Sequence, residues 1–329
     1  MVLHALEDVD DALAVTRAFL WPVDRTTWLK LAVVVFFVGG PGAGFNTVQY
    51  NVGGGGDAAP PTGELPEVGA DIWLIVAAAV VAALLVGFVF ALVGAIMEFV
   101  LVESLRSREV HVREYWGRRW GQGVRLFVFR LVIGLFVLGS VLLLSALFLL
   151  PLLGFGEAAA VPGVLALLLL VPVFVVLGLL VGIVNGFTTV FVVPIMVLED
   201  CGVLAGWGRL WSSITGAWTQ YLAYAVVGAL LSIAGGLLVG LLTGLLAIVL
   251  LVPFGLLFAL GIGLFTVAES LGIGLMVVTG LLFGLAVVVV AALVQVPVQT
   301  YLRYYALLVL GDVEESLDLV PDQRAAVRE

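Results

Sequence analysis

The chain has 329 residues, of which 63% are hydrophobic and 11% charged, and its mean hydropathy is +1.25. Soluble globular domains carry about 25% charged residues. Several uncharged runs exceed the roughly 20 residues that cross a bilayer as a helix. The composition therefore excludes an ordinary soluble domain and predicts an all-α integral membrane protein. The short alternating segments of a transmembrane β-barrel do not occur in the sequence.

Charge and cysteine content exclude further classes. The net charge is -9 and no basic face stands clear of the apolar runs, so nucleic acid is not expected as a partner. The single cysteine, Cys201, excludes an intrachain disulfide. Neither Cys201 nor the two histidines belongs to a cluster with metal-ligand spacing, so we predict no metal and no cofactor.

The chain begins with a predicted amphipathic helix over residues 5–20. The first 12 residues contain four acids, whereas a cleavable signal peptide begins with basic residues, so no cleavable signal peptide is predicted. Trp21-Pro22 ends the helix, because proline disfavours α geometry in the residue before it. A helix with one apolar face is expected to lie along the membrane surface. The apolar residues near that face are Leu6, Val9, Leu13 and Leu20.

Six apolar stretches are the predicted membrane spans: 28–45, 71–103, 124–153, 163–198, 219–251 and 275–310. The first span is the weakest, since Gly39-Gly40-Pro41-Gly42 interrupts it. The Gly- and Pro-rich residues 46–70 predict a flexible extracellular loop. Residues 253–270 are apolar but broken by glycine, and we interpret them as a re-entrant or interfacial piece.

Two more amphipathic segments, 104–122 and 203–218, each contain a Trp-Gly-Arg-x-Trp box. The boxes are two copies of one pattern, which could bind a lipid headgroup or a partner protein at the cytoplasmic face. The alternative is an interfacial aromatic belt with ordinary flanking arginines. The residues concerned are Trp116, Arg118, Arg119, Trp120, Trp207, Arg209 and Trp211.

Basic residues predict the topology. With six spans and both termini inside, all 14 Lys and Arg residues fall on the cytoplasmic side, whereas the outer loops contain acids only. We therefore predict a multi-pass protein of the cell membrane with a cytoplasmic N-terminus. The C-terminal residues 312–329 form a cytoplasmic acidic tail.

The spans and surface helices form three parallel repeats within one membrane domain, residues 1–311. The units cover about 1–103, 104–199 and 200–310, and each contains one amphipathic helix and two spans. The second and fourth spans end in similar text, FVLVE at 99–103 and MVLED at 196–200.

The text VPIMVLEDCGV, followed by a Trp- and Ser-containing turn and TQYLAYAVVG, resembles a family of uncharacterised haloarchaeal multi-pass membrane proteins. The acidic, lysine-poor composition is similar to that of haloarchaeal proteins. Over about 180–250 the chain also resembles, more distantly, the membrane domain of glycerophosphodiester phosphodiesterases. The second resemblance implies membrane architecture without hydrolysis, because the sequence contains no soluble catalytic domain and no acid/His metal cluster.

Polar residues inside two spans are candidate cavity-lining groups, since polar side chains at membrane depth often mark a pathway. The alternatives are helix–helix hydrogen bonds and, beside Pro297, local repair of a proline kink. The candidates are Asn185, Thr188, Thr189, Gln295 and Gln299.

Small residues at four-residue spacing predict close helix packing within the chain, with a dimer seam as the alternative. The glycines concerned are Gly236, Gly240, Gly244, Gly280 and Gly284. Glu98, near the inner end of the second span, could relay protons, but pairing with Arg106 or Arg108 is the favoured interpretation.

The sequence contains no P-loop, no GxSxG elbow and no HExxH motif, so no enzymatic activity is expected. The leading hypothesis is a non-enzymatic, membrane-organising or partner-binding protein whose amphipathic helices rest on the lipid bilayer. The alternative is a transporter or lipid-handling protein with a polar cavity between the fourth and sixth spans. A membrane enzyme would need a partner chain that supplies the catalytic residues.

Overall fold

The computed structural model describes residues 4–52, 70–152 and 163–328, and over these residues the secondary structure is helical, with no strand. A π-helix, Thr188–Val192, joins α5 to α6, and a 3-10 turn, Glu315–Leu317, joins α8 to α9. The α-helices are α1 (His4–Leu20), α2 (Arg25–Val52), α3 (Ala70–Ser107), α4 (Val112–Leu152), α5 (Gly163–Phe187), α6 (Val193–Glu199), α7 (Val203–Phe265), α8 (Glu269–Val313) and α9 (Pro321–Arg328).

Five helical stretches in the described residues are long and apolar enough to cross a membrane. α5, the π-helix and α6 form one of them, which corresponds to the fourth predicted span. The predicted first span, 28–45, lies in α2, which is not among the five. The stretches are Ile72–Ser107, Val112–Ala146, Leu170–Glu199, Val203–Phe265 and Glu269–Val313.

α2 begins earlier and ends later than its predicted span. Asp24 caps its N-terminus by accepting hydrogen bonds from the Thr27 amide at 2.9 Å and the Thr27 hydroxyl at 2.7 Å. These bonds lower the pKa of Asp24. The predicted loop at 46–70 begins later in the structure, because α2 continues through Gly39-Gly40-Pro41-Gly42 and includes residues 46–52. Residues 53–69 lie outside the described residues.

The predicted surface helices 104–122 and 203–218 are not separate elements, which corrects the expected repeat unit. Residues 104–107 end α3 and 112–122 begin α4, whereas 203–218 begin α7, and both α4 and α7 continue into the following span. In α7 the predicted boundary survives only as a kink at Ala217, with φ -138° and ψ 41°. In α4 no proline lies between the amphipathic part and the apolar part, so the helical hydrogen bonds continue.

Residues 253–270, predicted as a re-entrant or interfacial piece, are not a separate element. α7 continues through Pro253 to Phe265, and residues 266–268 then turn the chain into α8. From the kink to Phe265, α7 is about 72 Å long at about 1.5 Å per residue. A bilayer with its headgroups is only about 40–45 Å thick, so the α7–α8 hairpin exceeds one bilayer thickness unless it tilts strongly.

Burial divides the described residues into two regions. One end of the helices is a close-packed cluster, which we term the basal core; it includes 95–102 of α3, 191–197 of the π-helix and α6, and 304–310 of α8. The opposite halves of the long helices, which we term the outer arms, expose most of their large apolar side chains. The outer arms comprise 72–89, 128–145, 168–183 and 222–289.

α1 packs on the basal core with a face that shares Val9 and Leu20, but not Leu6 and Leu13, with the predicted one. Leu6 and Leu13 are both 59% exposed, whereas the acidic residue Asp8 is fully buried. Ala12 and Val15 accompany Asp8 on the buried face. Asp8 faces the basal core because it forms a long-range ion pair with Arg328 of α9, at 2.7 Å.

The C-terminal residues are folded onto the basal core. Leu317, Val320 and Gln323 are buried. The Gln323 amide donates to the carbonyl oxygens of Leu105 and Arg106 at 2.9 and 3.1 Å, which satisfies groups that a helix end leaves unpaired. The predicted acidic tail therefore completes the basal core.

Candidate functional site

A cavity of about 800 Å³ lies along the α7–α8 hairpin, where the outer arms meet the basal core. This volume is within the range of roughly 300–1,000 Å³ that is typical of ligand pockets. The cavity is open on one side, since Ser232, Gly236 and Gly244 on its wall are exposed. Its wall is mostly aliphatic, with a few polar groups from both helices. The geometry suits an apolar or amphipathic molecule.

Five small residues of α7, spaced four apart, form the open wall. Gly228, Gly236, Gly240 and Gly244 recur at multiples of four residues, with Ser232 completing the row. Residues four apart lie on one helix face. An added Cβ at Gly236 or Gly244 would meet nothing within 4 Å. The missing side chains therefore create room in the cavity.

Arg303 lies at the basal end of the cavity and is held on two sides. Its Nη1 donates to the carbonyl oxygen of Thr189 at 2.6 Å, and its Nη2 lies 3.0 Å from Oε2 of Glu98. The Arg303 side chain is only 8% exposed. A guanidinium carries five N–H donors. These two contacts leave further donors for a molecule in the cavity.

Glu98 holds a second arginine from another helix. Nη2 of Arg130 lies 2.8 Å from Oε1 of Glu98 and also donates a short hydrogen bond to the Thr189 hydroxyl. The expected partners Arg106 and Arg108 are therefore wrong. Glu98 lies five residues before the end of FVLVE, about 7–8 Å deeper, where the arginines of α4 and α8 are in reach and those of the α3 terminus are not.

The π-helix explains why Thr189 serves both arginines. Within it the Val193 amide bonds to the carbonyl oxygen of Thr188, five residues back instead of four. The wider turn leaves the carbonyl of Thr189 available to Arg303. π-helical turns of this kind are frequent at functional sites. The local distortion thus builds the basal end of the cavity.

Three of the five predicted cavity residues line this cavity: Thr189, Gln295 and Gln299. Asn185 and Thr188 are not part of its lining. The Thr188 hydroxyl donates to the carbonyl of Val184 at 2.6 Å and accepts from the indole of Trp207 at 3.0 Å, so it serves packing. In the described structure, Oδ1 of Asn185 is buried without a hydrogen-bond partner.

Four of the five glycines predicted to pack helices, Gly236, Gly244, Gly280 and Gly284, are not at close helix contacts in the described structure. Gly236, Gly240 and Gly244 face the cavity, and a Cβ at Gly280 or Gly284 would meet open space. Close approaches in the hairpin occur at glycines that the four-residue pattern did not select. A Cβ at Gly235 would lie 2.6 Å from Val298, and one at Gly272 would lie 2.4 Å from the backbone of Phe265.

The arginines of the two Trp-Gly-Arg-x-Trp boxes bind carboxylates of the chain itself. Arg119 is buried and lies 2.8 Å from Glu103. Arg118 pairs with Glu114 at 2.9 Å on the surface. Arg209 pairs with Glu199 at 3.1 Å and with Glu314 at 3.0 Å. A lipid phosphate would compete with these carboxylates for each arginine.

The tryptophans of the boxes differ in exposure. Trp116 and Trp207 pack against the basal core, whereas Trp120 is 45% and Trp211 62% exposed. Trp218, further along α7, is also 62% exposed. The exposed indoles leave an apolar surface on the first part of α7.

A recurring ion pair follows the ends of three spans. Glu103 pairs with Arg119 and Glu199 with Arg209. Asp312 pairs with Arg324 at 2.7 Å and with Arg328 at 2.6 Å. In each case an acid at the end of an apolar helix binds an arginine 10–16 residues later. The similar sequences at the ends of the second and fourth spans therefore contain acids that form similar ion pairs in the basal core.

Sequence reasoning missed Arg303 as a site residue and used it only for topology. The available signal was its position, since Arg303 is the only charged residue between Glu269 and Asp312. A charge inside a span is a candidate functional group by default.

No group of His, Cys, Asp or Glu side chains suited to a metal ion occurs among the residues that the structure describes. Burial and the neighbouring Glu199 raise the pKa of the Cys201 thiol, as expected for an unreactive thiol.

Helical secondary structure and five helices of membrane-spanning length and composition place the chain in the class of multi-pass helical membrane proteins. Residues 3–320 match the model of a family described as "Family of unknown function (DUF7544)", and the chain belongs to that family. Comparisons with curated proteins and with solved structures give no match. The resemblances to haloarchaeal proteins and to phosphodiesterase membrane domains stay predictions.

Proposed function

We propose that this chain is a lipid-handling membrane protein that takes a lipid molecule sideways from the bilayer into the cavity between α7 and α8. The observation that carries the proposal is the cavity itself: about 800 Å³, aliphatic along its wall, open on one side, with Arg303 at its basal end. In a membrane, the open side faces lipid acyl chains. The proposal modifies the alternative of a polar cavity between the fourth and sixth spans: most of the lining comes from the fifth and sixth spans, and the fourth contributes Thr189 and Val190.

The proposed setting is the cell membrane, with six spans, both termini in the cytoplasm and the basal core at the cytoplasmic surface. Support comes from the basic residues, which the positive-inside rule assigns to that side. The three recurring acid–arginine pairs support an origin in three parallel repeats. In this arrangement α2 supplies the first span, in addition to the five long apolar stretches.

A second candidate function, membrane organisation or partner binding, has its own support. Leu204, Trp211 and Trp218 are 77%, 62% and 62% exposed on one end of α7. Indoles at this position suit the headgroup level of the membrane or an apolar patch on a protein partner. The box arginines bind carboxylates of the chain and are not needed to bind a lipid phosphate in this proposal. The exposed tryptophans alone form the proposed contact surface. In neither proposal does the chain act as an enzyme by itself.

The test of lipid handling is a change in cavity volume with a matched control. In the double variant Gly236→Leu/Gly244→Leu, two isobutyl groups project into the cavity where nothing lies within 4 Å. The control Gly280→Leu/Gly284→Leu adds the same groups to α8, also in open space and outside the cavity lining. Both variants replace glycine by a better helix former, so neither is expected to lose stability.

The measurement is the number of lipids that stay bound to the purified full chain, counted by native mass spectrometry after mild detergent exchange. We expect the wild type and the control to retain at least one lipid and the cavity variant to retain none. Equal retention by all three proteins would refute the cavity as the binding site. In that event the exposed indoles of α7 become the surface to test.

A further inference from the structure

We propose that the cavity selects a lipid whose headgroup carries one net negative charge, such as a phosphate diester without an attached amine. This inference rests on the proposed lipid handling and names its ligand class. The headgroup would lie at Arg303, and an acyl chain would follow the row of small residues along α7 toward Ile248.

The charges at the basal end of the cavity do not balance. Arg130 and Arg303 contribute two positive charges, and Glu98 contributes one negative charge. Among the residues that the structure describes, neither arginine forms an ion pair with another carboxylate. The cluster therefore has a net charge of +1 if all three groups are ionised.

The surroundings make this extra charge costly. Arg303 is 8% exposed, and the cavity wall beyond it is aliphatic. An unbalanced charge in such a setting is expensive unless an opposite charge approaches it. A singly anionic headgroup balances the cluster. A zwitterionic headgroup carries its own cation into the same space and leaves the imbalance in place.

The shape of the cavity favours a lipid over a free anion. Its lining on α8 extends from Val287 to Arg303, which is about 24 Å at about 1.5 Å per residue. Gln295, Gln299 and Arg303 lie toward the basal end, and Ile248 and Val287 lie at the far end. Inorganic phosphate would fill only the charged end. A lipid fills both ends.

Arg130 offers a way to remove the extra charge while preserving the fold. Its side chain is 28% exposed, and without it Glu98 keeps its pair with the more deeply buried Arg303. Arg130→Gln retains hydrogen-bonding capacity toward Thr189 and brings the cluster to neutrality. The matched control is Arg118→Gln, since Arg118 has an exposed pair with Glu114 on the same helix and is not part of the cavity.

The experiment uses the full chain in nanodiscs made from equal parts of phosphatidylglycerol and phosphatidylcholine, with the bound lipids identified by native mass spectrometry. We expect the wild type and Arg118→Gln to retain phosphatidylglycerol over phosphatidylcholine by about tenfold, which corresponds to about 1.4 kcal/mol. We expect Arg130→Gln to bind the two lipids nearly equally.

The outcomes separate this inference from the proposed function. If Gly236→Leu/Gly244→Leu loses all lipid but the wild type shows no preference for phosphatidylglycerol, lipid handling stands and anionic selection is refuted. An unchanged preference in Arg130→Gln also refutes it. Added inorganic phosphate is expected to displace little phosphatidylglycerol. Complete displacement at low phosphate concentration would show that the site binds a free anion. Retention of lipid by the cavity variant would overturn both proposals.

Discussion

The basal core and the outer arms are built from the same helices, yet different forces hold them. On α4, Leu126 in the basal core is fully buried, whereas Leu135, nine residues further, is 59% exposed. All the ion pairs of the described residues lie at the basal end, where Glu98 and Glu103 are buried beside their arginines. The arms have apolar side chains that lipid solvates as well as protein does. Stability is therefore concentrated in the core, and the arms retain space for a ligand.

The largest expected effect comes from Glu98→Gln. Removing this carboxylate leaves two adjacent guanidinium groups in the core, and breaking a buried pair costs about 3–5 kcal/mol. The measurement is the free energy of unfolding in detergent, followed by circular dichroism against denaturant. Glu114→Gln is the control, because its pair with Arg118 is exposed and contributes about 1 kcal/mol or less. Equal losses in the two variants would contradict a special role for the core.

The next prediction compares the loss of unfolding free energy at two leucines of α4. Leu126→Ala opens a void in the core and should lower the free energy of unfolding by about 2–5 kcal/mol. Leu135→Ala should change it by less than about 0.5 kcal/mol, because lipid refills the space of an exposed side chain. The same denaturation experiment in lipid nanodiscs tests the pair. A similar loss at both positions would mean that the arms pack against protein.

Two glycines of α4, one in the basal core and one in an outer arm, are expected to respond differently to alanine substitution. A Cβ at Gly123 would lie 2.8 Å from the backbone of Ile96, so Gly123→Ala should destabilise the chain by about 1–3 kcal/mol. A Cβ at Gly134 meets nothing within 4 Å, and Gly134→Ala should be neutral or stabilising by up to about 1 kcal/mol. Thermal unfolding of both variants decides the matter. A loss at Gly134 alone would reverse the assignment of core and arm.

A pH dependence is expected at the edge of the core. Burial and the neighbouring carboxylates of Asp312 and Asp11 raise the pKa of Asp8 to about 8 against the attraction of Arg328. A raised pKa means that the folded chain holds a proton that the unfolded chain has released, so stability falls as the pH rises from 3.8 toward about 8.

The test is the slope of the melting temperature between pH 6 and about pH 9. We expect Asp8→Asn to flatten this slope relative to the wild type, since asparagine cannot titrate. The control Asp10→Asn removes an exposed acid two residues away and should keep the wild-type slope. Parallel curves for wild type and Asp8→Asn would show that the Asp8 proton does not contribute.

The sequence predicted membrane class and several helix limits because both depend on local composition. An uninterrupted apolar run predicted 71–103, and α3 covers Ala70–Ser107. The buried face of α1 was predicted only in part, because Asp8 is buried through a partner 320 residues away. The partners of Glu98 were missed for the same reason, since Arg303 lies 205 residues further along the chain.

The cavity shows where local patterns stop being informative. Asn185 and Thr189 are four residues apart and share a face in a regular α-helix. The π-helix adds a residue to the turn at Thr188–Val192 and shifts the following face by about 100°. Glycine spacing predicted close packing in α7, yet the same spacing lines a space when no neighbouring helix fills it.

The three-charge cluster has a consequence for how the chain is assembled during synthesis. Glu98 leaves the ribosome first, and Arg130 follows only 32 residues later on the next span. Arg303 follows 205 residues after Glu98. An early α3–α4 pair can therefore neutralise the carboxylate during insertion. The second arginine comes with α8, so the unbalanced charge of the cluster arises only when α8 packs beside α3 and α4.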